Sequence, residues 1–282
     1  VPGPRVTVVG SANVDLVARV AALPAPGATI TSSSFRRVPG GKGANQAVAL
    51  ARLGVPTTFV GAVGDDADGL ALVAGLRAEG IDTSAVRVVA GPTGMALIVV
   101  DDAADTTIVV VPGANALLAP SDVARCDGDA VLCQLEVADE VLAEAARQAT
   151  GWFAFNPAPA RPVDRAVVDR ADLVVANEQE HAAIAGLDRA RLIAVTSGAA
   201  GARLLRDGRE VARATPPSVR AVDGTAAGDA FCAALLAGLL EGRSDATALA
   251  RACAAGALAA TRHGAQPSLP TRLELDRLME ET

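Results

Sequence analysis

Apolar positions along the chain follow two periods. Short runs rich in valine, isoleucine and leucine occur at Val6–Val9, Thr58–Val63, Leu97–Val100, Ile108–Val111, Val131–Leu135, Trp152–Asn156, Leu173–Ala176 and Leu192–Thr196. Continuous runs of this length, bounded by turn residues, predict buried strands. Between many of them lie segments of helical period: Ala44–Leu53 stopped by Gly54, Gly69–Glu79 closed by Gly80, and Asp139–Gln148 closed by Gly151. Further on, Ala227–Leu240 and Ala246–Thr261 are apolar on most faces and predict helices buried between a sheet and its neighbours. Alternating strands and helices, with strands apolar on both sides, predict an α/β fold whose mainly parallel sheet is covered on both faces.

Two stretches break the alternation. Val14–Val38 holds no good helix and contains Pro24, Pro26 and Gly27. Thr93–Val111 reads as a hairpin, Met95–Val100 and Thr106–Val111 around a polar Asp101–Asp105 turn. Together they predict a small second sheet, either a lid over a site or ordinary surface structure. With no internal repeat or linker in view, the expected organisation is one α/β domain over 1–282 carrying insertions at 14–38 and 93–111.

Composition narrows the chemistry. Half of the 282 residues are hydrophobic but only 2% are aromatic; there is no tyrosine, one tryptophan and two histidines, His181 and His263. Tyrosine chemistry is excluded and a multi-histidine metal cage nearly so. What remains is carboxylates, lysine, arginine, cysteine, hydroxyls and backbone N–H groups. The net charge of −7 argues against nucleic acid as a partner, since that binding runs on lysine and arginine. Cys126, Cys133, Cys232 and Cys253 form no CxxC pair and read as buried thiols of a reducing compartment. No secretory signal is recognised at Val1–Arg5, and Asp229 and Arg251 break the longest apolar stretches below membrane-spanning length, so the expected setting is cytoplasmic, without membrane contact.

Four segments carry candidate chemistry. Gly40–Ala47 (GGKGANQA) joins a glycine-rich turn to a helix start, where free N–H groups favour an oxygen-rich partner; a plain left-handed turn is the alternative. It is neither a P-loop nor a dinucleotide fingerprint, because both spacings are missing. Asn13 and Asp15 follow the first strand, at the edge where open α/β sheets bind ligands, and could hold vicinal hydroxyls or merely form an Asx turn. In Asp223–Asp229 (DGTAAGD), small residues at a helix start form an anion nest, and Asp229 beside it could take a hydroxyl proton in phosphoryl transfer. Asn177–Glu180 (NEQE) would suit a hydrated Mg²⁺, although a helix-capping box fits the spacing better.

These segments, with QLE at Gln134–Glu136, NPAPA at Asn156–Ala160, TSGAAG at Thr196–Gly201 and TRHGAQPS at Thr261–Ser268, resemble in order the motifs of the PfkB carbohydrate kinase family. The resemblance covers Val6 to Leu278, and GGKGANQA, NPAPA and GAQPS point within the family to its ribose-phosphorylating branch. It implies a three-layer α/β/α sandwich with a small β-sheet lid, and ATP-dependent phosphorylation of the 5-hydroxyl of D-ribose. Other family members act on deoxyribose, fructose or nucleosides, and a weakly catalytic sugar-binding relative is a further alternative. Carried over by position, Asp229 would be the general base, with the N–H groups of Ala226, Ala227 and Gly228 as anion hole. Asn13, Asp15, Gly41, Lys42, Asn45 and Glu136 would hold the sugar. Asn177, Thr196, Gly198, Gly201 and Gly228 would line the nucleotide side, with Cys253 near the adenine. Glu180 would organise Mg²⁺ through water, and Asp223, Thr225, Ala259, Arg262, Gly264 and Ser268 would supply oxygens to an activating K⁺. Relatives of this kind pair as homodimers through the lid. Three departures from the family pattern stand out: Gly224 replaces a usual threonine, Ala226 a common glycine, and only Gly186–Arg191 precedes the strand Leu192–Thr196 where relatives have another helix.

Overall fold

The computed structural model describes residues 3–103, 105–123, 126 and 128–281. Val1 at the start and Ala104 in the expected Asp101–Asp105 turn lie outside them. The chain opens with β1 (Val6–Val9), β2 (Asn13–Arg19), β3 (Ser34–Gly40) and α1 (Lys42–Arg52). Next come β4 (Thr57–Gly64), α2 (Ala67–Ala78), β5 (Val86–Val89) and the hairpin β6 (Gly94–Val100)–β7 (Thr106–Val111). Regular alternation then runs through β8 (Ala130–Gln134), α3 (Asp139–Gln148), β9 (Trp152–Asn156), α4 (Arg165–Arg170), β10 (Leu173–Asn177), α5 (Glu178–Ala183) and β11 (Leu192–Thr196). Beyond them lie β12 (Ala202–Arg206), β13 (Arg209–Ala214), α6 (Ala227–Leu240), α7 (Asp245–Ala260) and α8 (Arg272–Glu280).

Nine strands form the main sheet in the order β13-β12-β11-β10-β9-β8-β1-β4-β5. It is parallel from β5 to β11, and β12 and β13 add an antiparallel edge. Successive side chains of a strand point to opposite faces, and here both faces are apolar. Val6, Val8 and Leu132 pack into one core with α1, α2, α6, α7 and α8. Val9, Val131 and Cys133 pack into the other with α3 and α4. This is the three-layer α/β/α arrangement. The second sheet has the order β3-β2-β6-β7, with β2 parallel to β6. It assembles from the two predicted insertions.

Several elements depart from the pattern reading. β12 and β13 alternate apolar and charged residues at an edge, so they lack a continuous apolar run; Asp207 and Gly208 turn the hairpin with φ of 49° and 74°, the Asp-Gly signal of a type I′ turn. β5 and α4 are short and half-exposed. α2 starts at Ala67 because the Asp66 carboxylate caps it, accepting from the Gly69 N–H. The connection before β11 is α5 followed by a 3₁₀ turn at Leu187–Arg189, so a single short helix spans it.

Candidate active site

The site grows from the corner between β1 and β2. Gly41 follows β3 and caps α1 with φ of 88°, and a Cβ there would lie 2.8 Å from the Asn13 nitrogen. At Gly43 a Cβ would lie 2.7 Å from the Gly10 backbone. These two glycines press the first turn of α1 against the β1–β2 corner, backbone on backbone. Asn13 and Asp15 stand at the start of β2, on one side of the strand, so the Asx turn is not formed.

Polar links tie the corner down. The Ser11 hydroxyl donates to Glu136 Oε2, and the Lys42 backbone N–H donates to the same oxygen at 3.0 Å. Asn115 donates to Asn13 Oδ1 at 2.7 Å and accepts from the Ala12 N–H at 3.0 Å. Asp15, Glu136 and Asp229 thus share a buried neighbourhood with the cation of Lys42. Burial, reinforced by Glu136 and Asp229 against Lys42, pushes the Asp15 carboxyl up to about 7. For Lys42, burial works to neutralise the amine, but Asp229, Glu136 and Glu180 outweigh it and hold its pKa above the ordinary value.

Asp229 lies in the first turn of α6 and is 6% exposed. Its Oδ2 accepts from Asn45 Nδ2 at 3.1 Å and its Oδ1 from Gln46 Nε2 at 2.9 Å. Burial raises its pKa, opposed by Lys42 and the two amides. A buried carboxylate so poised can take a proton from a hydroxyl.

Ala226 caps α6 in the left-handed region, φ 60°. Ala227 N–H, expected to be open, donates to the Gly224 carbonyl at 3.2 Å. Ala227 and Gly228 line a cavity of about 610 Å³ together with Thr196, Gly198, Gly201 and Cys253. Cys253 Sγ donates to the Ala214 carbonyl at 3.7 Å, and burial pushes its thiol up to about 11, far from a reactive thiolate. A second cavity of about 570 Å³ is lined by Asp15, Arg19, Arg36, Asp223, Thr225 and Gly264; Ala221 and Gly224 border both.

Asn177 and Glu180 line neither cavity. They form the capping box of α5: Asn177 Oδ1 accepts from Glu180 N–H at 2.8 Å, and Glu180 Oε2 from Asn177 N–H at 2.9 Å. Burial still raises Glu180, which feels both Lys42 and Asp229. The Asp223 carboxylate accepts from Thr225 N–H, Thr225 Oγ1 and Gly264 N–H at 2.9, 2.6 and 2.9 Å. Burial would raise Asp223, yet these bonds, with His263 nearby, hold it below the usual range. Ser268 Oγ donates to Ala265 O at 2.8 Å and reaches Thr225 O at 3.5 Å, while Ala259 O accepts from Arg262 N–H at 3.2 Å. The Arg262 guanidinium turns away to Glu274. Asp223, Thr225, Gly264 and Ser268 therefore meet, with the end of α7 as their frame.

Five polar residues of this neighbourhood had no role in the sequence reading: Ser11, Gln46, Asn115, Gln134 and Asn156. All are buried. Their signal was available for Gln134 and Asn156, which are polar residues closing otherwise apolar strands.

Fold and site together describe a kinase for a small hydroxylated substrate, with a buried proton acceptor in the first turn of the helix whose start lines one of two adjoining cavities. The chain belongs to the PfkB family of carbohydrate kinases, whose sequence profile matches residues 4–272. It is 37% identical to the ribokinase of Bacillus subtilis, over 98% of this chain and 99% of that one. Among solved structures it resembles the ribokinase of Thermotoga maritima, with TM-score 0.88, 31% identity and coverage of 98% and 99%. The ribokinase of Arabidopsis thaliana, solved with ribose and ATP, matches with TM-score 0.88 and 29% identity over 99% of both chains.

Proposed function

We propose that this protein transfers the γ-phosphoryl group of ATP to the 5-hydroxyl of D-ribose. The observation that carries the reading is Asp229, a buried carboxylate of raised pKa in the helix start whose neighbours Ala227 and Gly228 line the larger cavity. Asp229 accepts the hydroxyl proton, and the N–H groups of Ala226 and Gly228, joined by that of Ala227 once it leaves the Gly224 carbonyl, receive the charge on the transferred phosphoryl. Asn13, Asp15, Gly41, Lys42, Asn45 and Glu136 hold ribose. Asn45 Oδ1 is buried with no hydrogen-bond partner among the described residues, so it has an acceptor to offer a sugar hydroxyl. Thr196, Gly198, Gly201, Gly228 and Cys253 enclose the nucleotide, with Asn177 at its edge.

The donor sets fit the two cations. Among the described residues no cluster of three or more His, Cys, Asp or Glu could hold a metal ion; a hydrated Mg²⁺ needs few protein ligands, and Glu180 keeps Oε1 outside its capping bond. Bound Mg²⁺ neutralises phosphate charge. For K⁺, the carbonyl and hydroxyl oxygens around ionised Asp223 are the hard donors it requires: Thr225, Ala259, Arg262, Gly264 and Ser268.

The second sheet acts as lid, since β2 carries Asn13 and Asp15 and its inner face walls the smaller cavity. Its outer face exposes Phe35, Leu97 and Val109 at 59%, 42% and 54%; that apolar surface supports a homodimer paired through the lid. The cell compartment proposed is the cytoplasm. No helix among the described residues is long and apolar enough to cross a membrane.

ADP release over a panel of sugars tests the function, with ribose expected as the preferred acceptor. Preference for deoxyribose, fructose or a nucleoside with no ribose turnover would replace the substrate. Ribose binding without phosphate transfer would leave only a binding protein.

A further inference from the structure

Three side-chain amides link Asp229 to the centre of the main sheet. Asn156 Nδ2 donates to the Val175 carbonyl at 2.8 Å. A backbone carbonyl only accepts, so the orientation of Asn156 is set and its Oδ1 must face a donor. That donor is Gln46 Nε2 at 3.1 Å, which also donates to Asp229 Oδ1 at 2.9 Å. At the other end of the amide, Gln46 Oε1 accepts from Gln134 Nε2 at 2.6 Å. Turning Gln46 over would set its oxygen against two acceptors and its nitrogen against a donor. Gln46 and Gln134 are 0% exposed, so these bonds lie out of reach of bulk solvent.

From this geometry we infer that Gln46 is a positioning residue for Asp229, locked as a donor by Asn156 and Gln134, and that Asp229 Oδ2 is the oxygen that receives the substrate proton. Oδ1 is committed to the interior amide chain. Oδ2 faces Asn45, whose own Oδ1 has no partner among the described residues. The inference rests on the kinase reading and adds to it the orientation of the base. In the transfer step the substrate O–H bond breaks and its proton moves to Asp229 Oδ2. The hydroxyl oxygen forms the new bond to phosphorus, and the bridging O–P bond of ATP breaks with its electron pair leaving on ADP. Gln46, donating to the carboxylate, favours its ionised form and keeps Oδ2 ready as acceptor. The ionisable groups that act on Asp229 are Lys42 from α1, Glu136 beyond β8, Glu180 from α5, Asp15 from β2 and Cys232 from α6. None of them is altered by a change at Gln46.

The test is the pH profile of kcat for Gln46→Met, taken with the best sugar of the panel. Loss of one donor to a buried carboxylate moves the acid limb up by about one pH unit, with KM for the sugar changed less than about threefold. Gln134→Met, which leaves Gln46 in place and removes only its lock, moves the limb the same way by less. In an Asp229→Asn background, Gln46→Met causes no further loss, because it acts through Asp229. An unmoved acid limb in folded Gln46→Met, or a loss that multiplies with Asp229→Asn, would overturn the assignment. Should Gln46→Met not fold, an unmoved limb in Gln134→Met does the same. Wild-type protein that phosphorylates no sugar refutes the kinase reading instead, before any variant is compared.

Discussion

If Asp15 holds the sugar as proposed, sugar affinity is expected to depend on pH within the physiological range. Its carboxyl is 7% exposed and stands among two other carboxylates with Lys42 as the compensating cation, which places its pKa at about 7. An ionised carboxylate there can accept hydrogen bonds from two sugar hydroxyls, whereas the protonated form brings a competing donor. With a midpoint at 7, about nine-tenths of the molecules are ionised at pH 8 and about one-tenth at pH 6. If only the ionised form binds, ribose affinity falls about tenfold across that interval, ~1.4 kcal/mol. The sign follows from the raised pKa: affinity is full above 7 and lost as pH falls through it. Calorimetry of ribose binding without nucleotide measures this directly, and avoids the separate pH dependence that Asp229 gives to turnover. Asp15→Asn binds more weakly and loses the slope. A wild-type affinity that is flat from pH 6 to 8, or a slope that survives unchanged in Asp15→Asn, would show that Asp15 does not hold the sugar as a carboxylate.

Four further outcomes are expected. Asp229→Asn lowers kcat by at least about 10²-fold with a modest change in ribose affinity, measured by steady-state kinetics and calorimetry; near-normal turnover removes it as the base. Ala226→Gly relieves a left-handed alanine that costs about 1–2 kcal/mol, partly offset by the greater freedom of glycine in the unfolded chain. The melting temperature should then rise by roughly 2 °C, and no rise would mean that Ala226 is unstrained. K⁺ raises activity above that in Na⁺, and Gly224→Thr strengthens the response. A Cβ at Gly224 meets nothing within 4 Å, so threonine fits and stiffens the loop; equal rates in both salts for both proteins would refute a role for the loop. Val109→Asp places a charge on the apolar outer face of the second sheet and yields monomer in sedimentation equilibrium if that face pairs two subunits.

How far the sequence could be read depended on where each signal sits. The parallel strands β1, β4 and β8 to β11 were legible because both of their faces are buried, so each is a continuous apolar run; β5, parallel but half-exposed at the sheet edge, was not. The bounds of α6 at Ala227 and Leu240 were legible, and the polar gap at Glu241–Asp245 placed α7 to within one residue at each end. The β12–β13 hairpin was missed because an edge strand needs only one apolar face. Asn13, Asp15, Lys42, Asn45 and Asp229 could be nominated from their motifs. Their mutual arrangement could not, since α1, β2 and α6 meet only through long-range packing. Gln46 illustrates the same limit. A glutamine in a helix reads as a surface residue, and only the fold shows it to be fully buried.

That arrangement also explains how a chain with few catalytic reagents can place its charges. Gly43 through Leu50 of α1 are buried, so this helix is fixed against both β1 and α6. Its first turn carries Lys42, Asn45 and Gln46 to the three carboxylates. At its other end Arg52 donates to the carbonyls of Gln266 and Leu269 at 2.7 and 2.8 Å and pairs with Glu79. These carbonyls flank Ser268, so one rigid element about 16 Å long spans from the neighbourhood of Asp15, Glu136 and Asp229 to the loop of Asp223, Thr225 and Gly264. β3 runs directly into it at Gly41, which joins the second sheet to the same strut. Displacement of α1 along its axis would disturb Asp229, the charges of Asp15, Glu136 and Lys42, and the oxygen-lined loop together. The close backbone approach at Gly43 and the arginine clamp at Arg52 restrain such displacement from opposite ends.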